Sequence, residues 1–211
     1  MNGRGARYCR GGGKRALDLA LAVPAIILLA PVLAILALSV LATMGRPVLF
    51  AQERIGLDGC RFRLLKFRSM RRAAGGLPIT GRGDPRITQV GRFLRSTKLD
   101  EVPQLFNIVS GWMSVVGPRP EVPKYVASYS PAERQVLQVR PGLTDPASLA
   151  FRNEEDLLGA VPVEEREALY LTRILPRKLA LSLDYIQNAS LGYDLRLIVK
   201  TFAAVLLKAR P

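Results

Sequence analysis

Hydrophobic positions are unevenly distributed along the chain, and the longest apolar run lies near the N-terminus. Residues 19–44 contain no charged side chain and consist mostly of Leu, Ala, Val and Ile. As a helix this run would be about 39 Å long, enough for a hydrocarbon core of roughly 30 Å. The pattern predicts a membrane element in residues 16–44, after a Gly- and Arg-rich flexible tail in residues 1–15.

Two features leave the topology of this run open between spanning and re-entrant. Pro24 and Pro31 lie inside it, and each removes a helical hydrogen bond. Both flanks are basic, so the positive-inside rule does not orient a spanning helix. A helix–break–helix that enters the membrane and returns to the same face satisfies both observations. On these grounds alone neither topology is favoured.

The residues after the apolar run show the alternation of β-strands. Val48–Glu53 and Cys60–Phe67 predict a small β-hairpin, joined by turn residues 56–59. Residues 71–86 are rich in Gly and Pro and predict a loop. Glycine backbone beside Arg82 and Arg86 is only a weak signal for phosphate binding, because no P-loop spacing occurs there.

Helical spacing dominates after Gly91. Ser96 or Thr97 is predicted to cap a helix with one apolar face, formed by Leu99, Val102, Leu105, Phe106 and Val109. Residues 193–210 predict a basic amphipathic helix, which suits a membrane interface or a packed protein surface. The whole pattern predicts one α+β domain over residues 1–211, mainly helical, with residues 45–211 outside the membrane.

Composition limits the chemistry. The net charge of +14 indicates an anionic partner: nucleic acid, an anionic membrane or a phosphorylated small molecule. The chain has no histidine, which excludes imidazole-based mechanisms and most catalytic zinc sites. Cys9 and Cys60 are isolated, which favours a reducing compartment over a disulfide framework. Catalysis would rest on Asp, Glu, Lys, Arg, Tyr, Ser or a hard metal ion.

An acidic pair, Asp100 and Glu101, stands out among basic residues. Mg²⁺ binds through one or two carboxylates plus substrate phosphates, and a carboxylate can also attack phosphorus. Arg and Lys side chains bind phosphate oxygens. The same pair also fits the first turn of a helix, where the dipole favours carboxylates. Spacing alone favours this second interpretation.

Longer motifs change that balance. The segments FRSM, GDPRITQVGRFLRSTKLDEVPQLFNIVSGWMSVVGPRP and VRPGLT follow an apolar helix with a central proline. Together they resemble the monotopic polyprenyl-phosphate phosphoglycosyl transferases, a family of bacterial sugar transferases. The resemblance covers residues 14–144 and resumes at LDYIQNASLGYDLRLIVKT. It implies transfer of a sugar-1-phosphate from a nucleotide-diphosphate sugar, usually a UDP-sugar, to undecaprenyl phosphate, with release of UMP and a requirement for Mg²⁺.

The resemblance also implies roles for individual residues. Asp100 is the expected nucleophile, which holds the phosphosugar covalently, and Glu101 is the expected Mg²⁺ ligand. The residues expected to bind substrate or phosphate are Lys66, Arg95, Pro118, Arg119, Pro120, Arg140 and Gly142. The donor sugar and the role of the acidic stretch Asn153–Asp156 stay open.

For the membrane element, the resemblance favours a re-entrant hairpin that breaks at Ala30 and Pro31, where the family usually has Ser-Pro. Both termini are then expected on the cytosolic face of a bacterial inner membrane. The expected partners are a nucleotide-sugar donor, undecaprenyl phosphate and membrane lipid, and the reaction would begin glycoconjugate assembly. Nucleic acid is not expected as a partner, and a homo-oligomer stays open. The rival hypotheses are a non-catalytic basic membrane scaffold and a nucleic-acid-binding protein.

Overall fold

The computed structural model describes residues 3–71 and 84–208, with side chains described as far as residue 205. Its helices are α1 Arg4–Arg10, α2 Gly12–Met44, α3 Gln89–Ser96, α4 Gln104–Val109, α5 Pro123–Val126, α6 Pro146–Ala150, α7 Glu154–Gly159, α8 Val163–Leu169, α9 Leu175–Asn188 and α10 Leu191–Lys208. Its strands are β1 Leu49–Ile55, β2 Arg61–Phe67, β3 Ser114–Val116 and β4 Gly142–Thr144. The predicted α+β class, mainly helical, is confirmed.

The two sheets are small. Strands β1 and β2 pair antiparallel, with Leu49 opposite Phe67 and Ile55 opposite Arg61, which confirms the predicted hairpin. Strands β3 and β4 form a short parallel pair that alternation did not predict, because each strand has only three residues. This second pair joins the segment after α4 to the segment before α6.

Most of the predicted loop at 71–86 lies outside the described residues, and so does Arg82. At its described end, the guanidinium of Arg86 lies 2.7 Å from a carboxylate oxygen of Asp84. Of the two arginines behind the weak phosphate-binding signal, the described one therefore already has a carboxylate partner.

The prediction of a flexible N-terminal tail is wrong for residues 3–15. Helix α1 packs so closely on α9 that a Cβ at Gly5 would lie 2.4 Å from the Ile186 carbonyl oxygen. Lys14 is buried, and its ammonium lies 2.6 Å from the Asp194 carboxylate on α10. Glycine and basic composition suggested disorder, but here glycine permits close approach and the lysine has a buried counter-ion.

The prediction that the membrane helix breaks at Ala30 and Pro31 is wrong for the secondary structure. Helix α2 continues through both Pro24 and Pro31 as far as Met44. Each proline removes one backbone hydrogen bond from the ladder, and both prolines lie on the exposed side of the helix. The bonds of neighbouring residues therefore carry the helix past each ring.

One face of α2 packs on the rest of the protein along its length. Ala22 contacts the cluster that contains Phe62 and Ile108, and Val40 contacts the cluster that contains Phe67 and Leu94. Positions in both halves of α2 therefore contact the same globular part.

The opposite face of α2 is apolar and exposed. It presents Leu21, Val23, Ile27, Leu28, Val32, Ile35, Leu38 and Leu41. In the described part of the chain, α2 is the one helix long and apolar enough to cross a membrane. Helix α10 buries Asp194 and Leu197 but exposes Leu195, Val199 and Phe202, which confirms the predicted amphipathic helix. Apolar faces of this extent indicate a membrane-associated protein.

Candidate active site

The acidic pair lies on a 3₁₀ turn, Leu99–Glu101, and not in the predicted helix capped by Ser96 or Thr97. Helix α3 ends at Ser96, and Lys98 then adopts the left-handed conformation with φ of 60°. For a residue with a Cβ this conformation costs about 1–2 kcal/mol, and such strain is enriched at functional sites. The local backbone is therefore shaped to turn the pair away from the axis of α3.

Asn107 on α4 fixes the strand that carries Lys66. Its side-chain oxygen accepts a hydrogen bond from the Leu65 amide at 3.0 Å, and its amide nitrogen donates to the Arg63 carbonyl at 2.8 Å. The side chain thus acts as a partner for the free edge of β2. This contact places Lys66 beside the acidic pair.

Glu101 is held between two cations. Its Oε1 accepts hydrogen bonds from Lys66 Nζ at 2.8 Å and from Arg119 Nη2 at 2.6 Å. Burial acts to raise the pKa of Glu101, but the positive charges of Arg119 and Lys66 outweigh it and hold this pKa well below its usual range. Glu101 is a fixed anion that orients both cations.

Asp100 has the opposite environment. Its side chain is buried, and Oδ1 has no hydrogen-bond partner among residues 3–71 and 84–208. Burial, reinforced by repulsion from Glu101, raises the pKa of Asp100 to about 6. A buried carboxylate oxygen without a hydrogen bond is costly, so its presence calls for a functional explanation. Adjacent carboxylates whose pKa values are pushed apart are typical of acids with different roles.

The turn that presents Arg119 is held by backbone contacts. The Pro118 carbonyl accepts a hydrogen bond from the Gly142 amide at 2.9 Å, and the Pro120 carbonyl accepts one from Arg54 at 3.0 Å. A Cβ at Gly142 would lie 2.1 Å from the Gly117 nitrogen, so only glycine permits this approach. Pro118, Pro120 and Gly142 therefore position the backbone around the site.

The other two predicted basic residues have different partners. Arg95 Nη2 donates to Glu155 Oε1 at 2.5 Å, and its charge also acts on Asp100. Arg140 Nε donates to the Gly111 carbonyl at 3.0 Å, away from the acidic pair. The structure thus brings Lys66 and Arg119 into contact with Glu101, places Arg95 near Asp100, and directs the side chain of Arg140 elsewhere.

A buried polar network behind Arg119 was not predicted. Arg54 and the Tyr170 hydroxyl both bind the Glu121 carboxylate, and Lys178 binds Glu154 at 2.9 Å. Of these residues, only Glu121 could have been suspected from the sequence, because it directly follows the Pro-Arg-Pro motif. The other members of the network lie in segments that carry no recognisable motif. The acidic stretch left open by the sequence is thus placed beside the site, at the start of α7.

The acidic pair fits a magnesium ion shared with substrate. Within the described ranges no group of three or more Cys, Asp or Glu residues forms a metal cage. Mg²⁺ does not require one, because it retains water and binds substrate phosphates. The oxygen available to it is Glu101 Oε2, whose contact with Arg119 is long at 3.4 Å.

Comparison with known proteins identifies relatives over nearly the whole chain. The profile of the bacterial sugar transferase family matches residues 9–208. A UDP-glucose:undecaprenyl-phosphate glucose-1-phosphate transferase of Escherichia coli K12 is 36% identical over 198 residues, which cover 89% of this chain and 39% of the relative. The protein of that name in Caulobacter vibrioides is 37% identical, with 92% of this chain and 69% of the relative covered.

A shorter relative is matched over most of its own length. The exopolysaccharide production protein ExoY of Sinorhizobium fredii is 36% identical over 214 residues, which cover 93% of this chain and 87% of the relative. Against the Escherichia coli relative, by contrast, this chain spans about two fifths of the length, as the 39% coverage shows. The long family match and the near-complete alignment to ExoY agree, and the chain belongs to the bacterial sugar transferase family.

Proposed function

We propose that this chain transfers a sugar-1-phosphate from a UDP-sugar to undecaprenyl phosphate, as the first membrane step in the assembly of an exopolysaccharide or related glycoconjugate. The names of two relatives support the donor and the acceptor, and the name of a third supports the exopolysaccharide. The observation that carries the proposal is the contrast between two neighbouring carboxylates. Glu101 is bound by two cations, whereas the buried Oδ1 of Asp100 has no hydrogen-bond partner among the residues that the structure describes.

In the proposed reaction, Asp100 attacks the β-phosphorus of the donor. A bond forms between Oδ1 and phosphorus, the phosphoanhydride bond breaks, and UMP leaves with the electron pair. A phosphate oxygen of the lipid then attacks the same phosphorus and breaks the acyl-phosphate bond, which restores the Asp100 carboxylate. Both steps conserve charge and need no co-reactant.

Arg119 and Lys66 stabilise the phosphate oxygens during both attacks. Each has N–H donors beyond those that bind Glu101, since guanidinium has five and ammonium has three. Donors already oriented by Glu101 need little reorganisation when charge develops on phosphate. Mg²⁺, held by Glu101 with the donor diphosphate, would neutralise further negative charge, and Asp100 Oδ1 is left to attack phosphorus.

The packing of α2 supports a membrane arrangement. We infer that both ends of α2 lie on the cytosolic side of the inner membrane, with its exposed apolar face and that of α10 in contact with lipid. The support is that residues near both ends of α2, Lys14 and Val40, contact the same globular part. A site beside this helix can reach a lipid phosphate at the interface.

Intact-protein mass spectrometry tests the function directly. After incubation with Mg²⁺ and a set of UDP-sugars, without lipid acceptor, we expect a mass gain of one phosphosugar that Asp100→Asn abolishes. Asp58→Asn is the matched control, because Asp58 is an exposed acid in the hairpin turn. UMP release on addition of lipid, without an adduct, would reject the covalent step only. Neither adduct nor UMP with any donor would favour the scaffold hypothesis.

The rate of adduct formation is expected to fall as the pH is lowered through about 6. The nucleophile must be ionised, and burial raises the pKa of Asp100 to about 6. Below that value the rate at low donor concentration should decrease about tenfold per pH unit. Omitting the lipid avoids its phosphate monoester, which titrates near pH 6 itself. A profile that stays flat down to pH 4.5 would contradict an Asp100 nucleophile with this pKa.

A further inference from the structure

Arg95 has a carboxylate partner at the edge of the site. Its side chain is 19% exposed, and Nη2 donates to Glu155 Oε1 at 2.5 Å. The other contacts of the guanidinium are poor: Nη1 faces the sulfur of Met70 at 3.5 Å, and Nε is buried without a partner in the described residues. Arg95 therefore retains unused capacity to bind an anion.

Arg95 also lies close enough to the nucleophile to act on it. It lies in the last turn of α3, and only Thr97 and Lys98 separate the end of that helix from the 3₁₀ turn that carries Asp100. A phosphate that approached Asp100 would therefore enter the field of Arg95. The anion now bound to Arg95 is a carboxylate of the protein itself.

Glu155 is held in place but can readily be displaced. The preceding Glu154 is anchored by Lys178 at 2.9 Å, and Lys178 is largely buried. The Glu155 side chain is 47% exposed, so its carboxylate can return to water at little cost. The start of α7 thus presents a weakly held carboxylate to an arginine beside the nucleophile.

We propose that Glu155 is a positioning residue that occupies the phosphate-binding face of Arg95 until a substrate phosphate displaces it. This inference rests on the proposed function. Carboxylate and phosphate oxygens both match the forked N–H groups of guanidinium, so the exchange preserves the geometry of Arg95. In the absence of substrate, Glu155 keeps the arginine extended toward the site. In its presence, Glu155 competes with the incoming phosphate.

The test compares Glu155→Gln with wild type in two arms. One arm measures the UDP-sugar concentration that gives half the maximal rate of adduct formation without lipid, and the other measures the KM for the lipid phosphate during turnover. We expect Glu155→Gln to lower the KM for the substrate whose phosphate Arg95 receives by about two- to fivefold. The kcat should change less. Glu164→Gln, an exposed acid on α8, should leave both values unchanged.

A binding measurement separates failure of this inference from failure of the proposed function. Inorganic pyrophosphate and phosphate serve as probes of the diphosphate and monoester positions, with affinity measured by calorimetry and without turnover. Glu155→Gln should lower the dissociation constant of one probe by the same factor. In a protein that already carries Arg95→Gln, adding Glu155→Gln should not change that dissociation constant. Equal affinities in wild type and Glu155→Gln, or an effect that persists without Arg95, would overturn the inference. A purely structural role would instead lower the melting temperature without lowering KM.

Discussion

Asp100→Asn is expected to abolish transfer while making the folded protein more stable at pH 7.5. Burial and repulsion from Glu101 raise the pKa of Asp100 from 3.8 to about 6. A carboxyl group of this kind stabilises the fold fully below pH 3.8, where it is protonated in both states, and this contribution is lost as the pH rises through 6. Asparagine preserves the shape of the side chain and removes the charge.

The size of the gain follows from the shift. A shift of about two pH units corresponds to about 2–3 kcal/mol of unfolding free energy at pH 7.5. For a chain of this size, that raises the melting temperature by about 4–12 °C. Loss of the nucleophile should reduce the transfer rate by about 10³-fold or more. Stability and activity are thus expected to change in opposite directions.

Thermal unfolding in one detergent at pH 7.5 and at pH 4 measures this effect. The advantage of Asp100→Asn should be large at pH 7.5 and should shrink at pH 4, where the wild-type carboxyl is mostly protonated. A variant less stable than wild type at pH 7.5 would show that Asp100 has a stabilising partner in the folded protein. That result would also contradict the inference that the ionised Asp100 carboxylate destabilises the folded protein.

Glu101→Gln is the matched comparison, since it neutralises the neighbouring carboxylate. Glu101 neutralises Lys66 and Arg119, whose side chains are 20% and 30% exposed. Its removal leaves two largely enclosed cations without the carboxylate that binds them and should cost about 2–3 kcal/mol, less than for a fully buried pair because water reaches both. Two adjacent substitutions of the same chemical type should therefore have opposite effects on stability.

Local sequence patterns predict only part of this site. Alternation predicts the hairpin that holds Lys66, and the long central motif identifies Asp100, Glu101 and Arg119. The left-handed conformation of Lys98, which splits the predicted helix, could not be predicted because residues other than glycine rarely adopt it and lysine is not among the types that favour it. The contact of Asn107 with β2 joins positions more than forty residues apart, which no spacing rule detects.

The N-terminal errors have a common physical origin. Composition and proline rules describe a segment alone, whereas the order of α1 and the continuity of α2 depend on what they pack against. Pro24 and Pro31 were expected to break a helix, but each removes only one hydrogen bond and both point away from the protein. Likewise, Gly5 suggests a flexible segment when the sequence is considered alone, but in the structure it permits the close contact between α1 and α9.

Asp194→Ala is expected to destabilise the protein by about 3–5 kcal/mol. Asp194 is fully buried, and its Oδ2 accepts hydrogen bonds from Lys14 Nζ at 2.6 Å and from the Tyr8 hydroxyl at 2.8 Å. Its Oδ1 accepts one from the Tyr185 hydroxyl at 2.7 Å. The carboxylate joins α1, α2, α9 and α10, and its removal leaves the Lys14 ammonium buried without a counter-ion.

Thermal unfolding and limited trypsin digestion check this result. We expect Asp194→Ala to melt at lower temperature and to be cleaved after Lys14 or Arg15, where wild type is protected. Asp184→Ala, an exposed position on α9, should behave as wild type. The double variant Lys14→Met, Asp194→Leu should recover part of the lost stability, because apolar side chains can replace a buried ion pair. Equal stability and equal cleavage in Asp194→Ala would instead support the flexible tail that composition predicts, and the start of α2 would then lack its anchor on α10.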